Sequence, residues 1–412
     1  MGLTRRDILR YGVGAGATAI ASASLGGCSR FEATRLKLAV LEGSIPIQLA
    51  KRFRSQTGGD GKTQFVPTAQ PSESFQQLQR WARDPASLPQ SWRSRISNPL
   101  GRSPRPADLI SLGDGWLTAA IRQDLIQPLD YSELPRWAEL SGRWQQLVQR
   151  NGEGFLQADG PVWAAPYRWG SMVIAYRKNR LAKLDFEITD WADLWRPELK
   201  GLVSLPDSPR DVIGLTLKRL SQSYNHPNPS QVEGLAPALG NLQGQVKLYD
   251  SQNYLQPLLL EDTWVAVGSS AELLPLLQRD RNLALISPAS GTALWADLWV
   301  KPKPFTAPAP AAPDPTATAP EPNRPNDTAA LAARWIDFCW TPETVQLITS
   351  LSHGASPLAL QPGLTWLEKL QNRKIVLPEA TLATSEFILP LAQASLDEYE
   401  QLWVALRRGE LG

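Results

Sequence analysis

Apolar residues along the first 130 positions switch between a period of two and helical spacing. Leu36-Lys37-Leu38-Ala39-Val40-Leu41 predicts a strand, Ile45 to Gln56 an amphipathic helix, Thr63 to Thr68 a second strand and Ser74 to Arg83 a second helix. Ala107 to Leu112 predicts a third strand and Trp116 to Ile126 the helix after it. This β-α-β-α-β-α order predicts a parallel sheet, in which ligands gather outside the carboxyl ends of the strands. Those ends read Glu42-Gly43-Ser44 and Gly113-Asp114-Gly115-Trp116. Ser44, Asp114 and Trp116 are therefore candidate contacts, although turn geometry alone accounts for the glycines. Residues 84–106 carry Pro, Ser and Arg without a period and read as a long exposed loop.

A second region opens near Val162. Ala164 to Tyr176 reads as extended chain, Asp190 to Pro197 as one or two helical turns with Trp191 and Trp195 packing, and Leu202 to Leu205 as a short buried strand. Pro206-Asp207-Ser208-Pro209-Arg210-Asp211 then starts a helix with Ile213, Leu217 and Leu220 on one face. Ser208 suits the N-cap, Pro209 the first helical position and Asp211 the third. Exposed N–H groups at such a helix start favour an anion, whereas Asp207 and Asp211 favour a cation.

The segment Leu294 to Val300 alternates. Leu294, Ala296, Leu298 and Val300 would face a core; Trp295, Asp297 and Trp299 would share the other side. An aromatic–acid–aromatic face suits a cationic ligand through ring faces and one carboxylate. Packing of the tryptophans under a helix is the equal alternative. Residues 302–325 hold nine prolines and predict an extended surface insertion. Residues 327–412 read as mostly helical, ending with Ser395 to Arg408.

The amino terminus changes the picture. Arg5-Arg6 precedes an uncharged run, Tyr11 to Leu25, of 15 residues, too short and too glycine-rich to span a bilayer as a helix. Leu25-Gly26-Gly27-Cys28 follows. A twin-arginine pair, a weakly apolar middle and small residues before a cysteine are the parts of an export signal ending in lipid modification of Cys28, with simple cleavage as the alternative. Removing residues 1–27 leaves 39 residues of each charge, a neutral chain, which argues against nucleic acid. Cys28 and Cys339 are the only cysteines, so no internal disulfide is expected, and Cys339 reads as a buried inert thiol. Two histidines, His226 and His353, make metal sites and Ser/His or Cys/His nucleophiles improbable; neither a metal nor a cofactor is expected.

Several segments in order resemble one family. Pro166-Tyr167-Arg168-Trp169-Gly170, Trp191 to Gly201, Asp207 to Val212, Gly291 to Asp297 and Ala333 to Pro342 are similar to the spermidine/putrescine-binding proteins of bacterial ABC transporters. The resemblance implies an α/β, two-lobed periplasmic-binding-protein (Venus-flytrap) fold with hinge crossover strands, no enzymatic activity, and ABC permease subunits as partners. It carries Trp295 and Asp297 over as pocket aromatic and carboxylate, with Asp211 where a Glu is usual. Four ring positions fall at Leu41, Ser44, Gly115 and near Val267, and a carboxylate falls at Ser208. Four lost ring–cation contacts of about 0.5 to 2 kcal/mol each would cost at least about 30-fold in affinity.

The expected organisation is a signal peptide at 1–27, an anchor linker at 28–35, lobe 1 from 36–162 and again 291–360, lobe 2 from 163–290, and C-terminal helices at 361–412 mainly on lobe 2. The expected protein is a monomeric, lipid-anchored receptor on the outer face of the plasma membrane, binding a small ligand, with a polyamine one candidate. Expected contacts are Trp295, Asp297 and Trp169, with Asp207, Asp211, Ser208, Ser44, Asp114 and Trp116 around them. The alternatives are an anion or polyol at the Ser208 helix start, a non-transport lipoprotein serving as an interaction module, and an exported carboxylate-based hydrolase.

Overall fold

The computed structural model describes residues 35–57, 62–83, 107–184, 186–303, 325–361, 364, 366 and 374–411. The export signal with Arg5, Arg6 and Cys28, the loop at 84–106 and nearly all of the proline-rich insertion lie outside the described residues.

Among the described residues, eleven strands follow in chain order: β1 (Arg35–Leu41), β2 (Lys62–Thr68), β3 (Leu109–Gly113), β4 (Ile126–Gln127), β5 (Ala165–Arg177), β6 (Val203–Leu205), β7 (Val246–Tyr249), β8 (Val265–Ser269), β9 (Leu283–Ile286), β10 (Ala293–Pro302) and β11 (Glu386–Phe387). The main path runs β2-β1-β3-β10-β5-β8-β6-β7. β1 is parallel to β2 and β3, and β6 is parallel to β7 and β8, as alternating strands and helices require. β10 enters antiparallel between β3 and β5, so the chain returns after some 180 residues to complete the first sheet.

Among the described residues, two large hydrophobic cores divide within β5, and a smaller third, holding Val173 and Ala175 of β5 with Leu273 and Leu285, lies beside the second. Tyr167 and Trp169 belong to the first, with residues from β1 to β3, most of β10 and the helices Pro325–Cys339 and Pro342–Leu351. Ile174 belongs to the second, with the helices Pro209–Arg219 and Leu235–Gln245 and with Tyr399, Trp403 and Leu406 of the C-terminal helix Gln393–Arg408. Thirteen-residue β5 is buried almost throughout because it is sheet-paired in both lobes. The first core also takes Ile375 to Leu377 and Phe387.

β10 departs from the alternation expected of it. Trp299 is fully buried, stacked on Tyr167 at 4.6 Å and edge-on to Trp335 at 6.1 Å. Tyr167 of β5 and Trp335 of the helix Pro325–Cys339 close this face over Trp299, whereas Trp295 on the same strand stays half-buried. A register shift between Asp297 and Leu298 also separates Trp299 from the Trp295–Asp297 pair. Cys339 is buried and unpaired by any disulfide, and burial pushes its thiol up.

Candidate functional site at the strand crossing

Four strands meet where β5 passes from one core to the other. Asp297 of β10 stands in register with Gly113 of β3 and Arg168 of β5; Trp295 stands opposite Gly170. One step further along β5, Met172 pairs with Ser269 at the end of β8, and the Ser171 N–H donates to Ser270 Oγ at 3.2 Å. Gly170 is required here. A Cβ at that position would strike both the Trp295 ring and the Ser270 hydroxyl.

Asp114 follows β3 directly. Its Oδ1 accepts the Ala296 N–H at 3.0 Å, tying the third strand's end to β10. Desolvation pushes this half-buried carboxyl up to about 7; the Ala296 bond and the Arg150 charge oppose the rise, and the Asp297 charge adds to it. Arg150 is buried with bonds to the Leu147 and Gly154 carbonyls and to Thr118 Oγ1, and burial lowers it to about 10. Trp116 is 37% exposed and stacks on Phe75 at 4.7 Å, so one ring face is open at the strand ends.

Asp297 is not free. It is 3% exposed and accepts from Arg168 Nε at 2.7 Å. Burial raises its carboxyl above the usual range, against the pull of the Arg168 guanidinium. Trp295 is half-buried, with the Arg168 guanidinium carbon 5.3 Å from its ring centroid. Trp169 faces the first core instead of the crossing: it is buried, donates from Nε1 to the Ser356 carbonyl at 3.1 Å and packs on Trp144 at 5.6 Å. Ser44 is likewise buried, accepting from the Tyr167 hydroxyl at 2.9 Å, with Ser111 Oγ 2.7 Å from the same hydroxyl. Leu41 and Val267, two positions where the resembled family carries rings, are also buried.

On the second lobe, Ser208 caps the helix Pro209–Arg219, its Oγ accepting the Asp211 N–H at 3.4 Å. Asp211 is half-buried and its carboxyl is raised by desolvation. Its charge reaches the phenols of Tyr224 and Tyr254, helping burial to raise both. Asp207 is exposed and pairs with Arg407 at 3.2 Å, turned toward the C-terminal helix. Tyr254 packs against Gly268, donates to the Glu272 carboxylate and accepts the Ser269 N–H at 3.3 Å. Glu272 lies in the first turn of the helix Ser270–Arg279, one strand over from Asp211.

The structure therefore brings Trp295, Asp297, Asp114 and Trp116 together, sets Ser208 and Asp211 at the adjoining lobe's strand ends, and turns Trp169, Ser44 and Asp207 elsewhere. Sequence reasoning missed Arg168, Ser270, Tyr254 and Glu272 as members of the group. Arg168 could be found only by knowing that it falls in register with Asp297, 129 residues away.

Two α/β lobes sharing antiparallel crossover strands, with polar side chains gathered at the crossing, define the class of two-lobed binding proteins. Within it, residues 105–376 match the bacterial extracellular solute-binding protein family, and the chain belongs to that family. It is 23% identical over 305 residues to the spermidine/putrescine-binding periplasmic protein of Escherichia coli, covering 73% of this chain and 78% of that one. A putrescine/cadaverine-binding protein of Pseudomonas aeruginosa is 27% identical over 173 residues, 40% of this chain and 46% of that protein. Among solved structures, a spermidine/putrescine ABC transporter substrate-binding protein of Streptococcus pneumoniae superposes with a TM-score of 0.68 at 19% identity, over 91% of this chain and 99% of that one. A lipoprotein of Treponema pallidum gives 0.60 at 16% identity, over 90% and 99%.

Proposed function

We propose that this protein is a lipid-anchored receptor that takes up a small amine-bearing solute between its lobes and presents it to an ABC permease. Membership of the solute-binding family supports the class, and the names of the relatives support the amine. The observation that carries the reading is the convergence of β3, β10, β5 and β8 at one crossing, where Asp114, two residues before Trp116, bonds to Ala296 and the neighbouring Trp295 meets Ser270 over Gly170. Asp211 and Glu272 add carboxylates from the second lobe. These acidic groups disfavour an anion, and Ser208 is already engaged as a helix cap. Binding would work by differential affinity for the closed arrangement of the lobes, with no chemistry on the solute.

The amino-terminal sequence carries the address. Arg5 and Arg6 direct export by the twin-arginine route, and Cys28 becomes the lipidated first residue. No described helix is long and apolar enough to cross a membrane.

A thermal-shift panel on the mature protein tests the ligand class. Monoamines, putrescine and spermidine are compared with phosphate, sugars and amino acids. A solute at 100 times its dissociation constant adds about 2.7 kcal/mol of stability. Asp211→Asn and Trp116→Ala should each weaken the responding amine by about tenfold. A flat panel sinks the solute reading. For the anchor, Cys28→Ala should move the protein from the membrane fraction to the soluble one.

A further inference from the structure

The aromatic–acid pair singled out as a cation site already holds a cation, and that cation belongs to the chain. Arg168 Nε donates to Asp297 Oδ2 at 2.7 Å, its guanidinium carbon lies 5.3 Å from the Trp295 ring centroid, and Nη1 donates to the Ser352 carbonyl at 2.7 Å. The two charged side chains are 9% and 4% exposed. Gly354 makes room for the stem, since a Cβ there would come within 2.8 Å of Arg168 Cγ. Carboxylate, ring face and carbonyl are the partners that an alkylammonium or guanidinium ligand would seek.

We infer that Arg168 is a tethered cation occupying the Trp295–Asp297 subsite, and that it excludes the second cationic end of a diamine or longer polyamine from the cleft. The inference rests on the interlobe reading above and narrows it to solutes with a single cationic group. An ammonium approaching Trp295 would meet a guanidinium in place of a bare carboxylate. Displacing Arg168 would leave a buried charge without its partner, a larger penalty than one ring contact returns.

The test is removal of the tether and replacement by a free cation. Arg168→Ala should melt below the wild type, and millimolar methylguanidinium or putrescine should restore its Tm more than sodium chloride of equal ionic strength. Putrescine should bind Arg168→Ala at least about tenfold tighter than the wild type, the equivalent of one ring–cation contact with a charged hydrogen bond. The rescue should vanish in Arg168→Ala combined with Asp297→Asn. An Arg168→Ala protein indifferent to these cations, or a wild type that binds putrescine as tightly, overturns the inference. If Arg168→Ala does not fold, the wild type decides: the nitrogen-15 resonance of the Arg168 Nε–H should persist in millimolar putrescine, and its displacement refutes the occupied subsite. A wild type silent to every solute would defeat the receptor reading, yet cation rescue of the variant would still establish the tether.

Discussion

Burial of Asp114 couples one proton to the stability of the fold. Its carboxyl sits near 3.8 in the unfolded chain and near 7 in the folded one, chiefly through desolvation. The folded state therefore holds the proton more tightly, so this stability is complete below about pH 4 and is lost as pH rises through 7. Asp114→Asn keeps an oxygen to accept the Ala296 N–H but cannot ionise. Urea denaturation at pH 5, 6.5 and 8 should show the wild type losing about 2 to 4 kcal/mol relative to the variant as pH rises. A constant difference across that range would show that the carboxyl is solvated. At this scale the sequence was informative where a residue acts on near neighbours. Ser208 reads as a cap from Pro209 and Asp211 alone, and it is one. Arg168 acts on Asp297, and no local pattern links the two. Trp169 sits beside Arg168 in sequence and Ser44 follows the end of β1, but their side chains point into the first core, a direction that only the paired strands fix.

Among the elements, the regular βα units were legible because each encloses its own signal. An apolar run, a turn and an amphipathic face recover β1, β2, β3 and β6 to within two residues. Strands β4, β7, β8, β9 and β11 escaped, being two to five residues long and defined by partners far along the chain. β10 was found, with its Trp295–Asp297–Trp299 face left open between a ligand and a covering helix. Trp335 and Tyr167 cover Trp299 while Trp295 stays half-buried, a difference set by distant elements that alternation cannot report. The same closeness yields a prediction. Gly170 lets β5 pass beneath Trp295 and Ser270, so Gly170→Ala must push one of them aside. Overpacking of this kind costs about 1 to 3 kcal/mol and should lower the urea midpoint with the slope unchanged. The displaced indole should weaken the amine response as well. Wild-type stability in Gly170→Ala would mean that the crossing is looser than its geometry shows.

At the scale of the whole molecule, neither lobe is a contiguous piece of chain. The first core needs β10 and residues through Phe387; the second needs the C-terminal helix, whose Tyr399, Trp403 and Leu406 fill it some 200 residues after β6. Tyr399 also donates to the carbonyls of Tyr224 at 3.1 Å and His226 at 3.2 Å. A chain built this way completes its folding only when its end has been made. It also makes the tail indispensable. Truncation after Leu391 deletes three large buried apolar side chains, each worth roughly 2 to 5 kcal/mol as a cavity. The loss is of the order of 10 kcal/mol, comparable with the whole stability of a domain. The shortened protein should therefore show no cooperative melting by circular dichroism and should yield to protease throughout residues 203–286, while the full chain resists. A truncated chain that melts cooperatively near the wild-type temperature would show that the second core closes without its last helix, and the dependence of both lobes on a late return of the chain would fall with it.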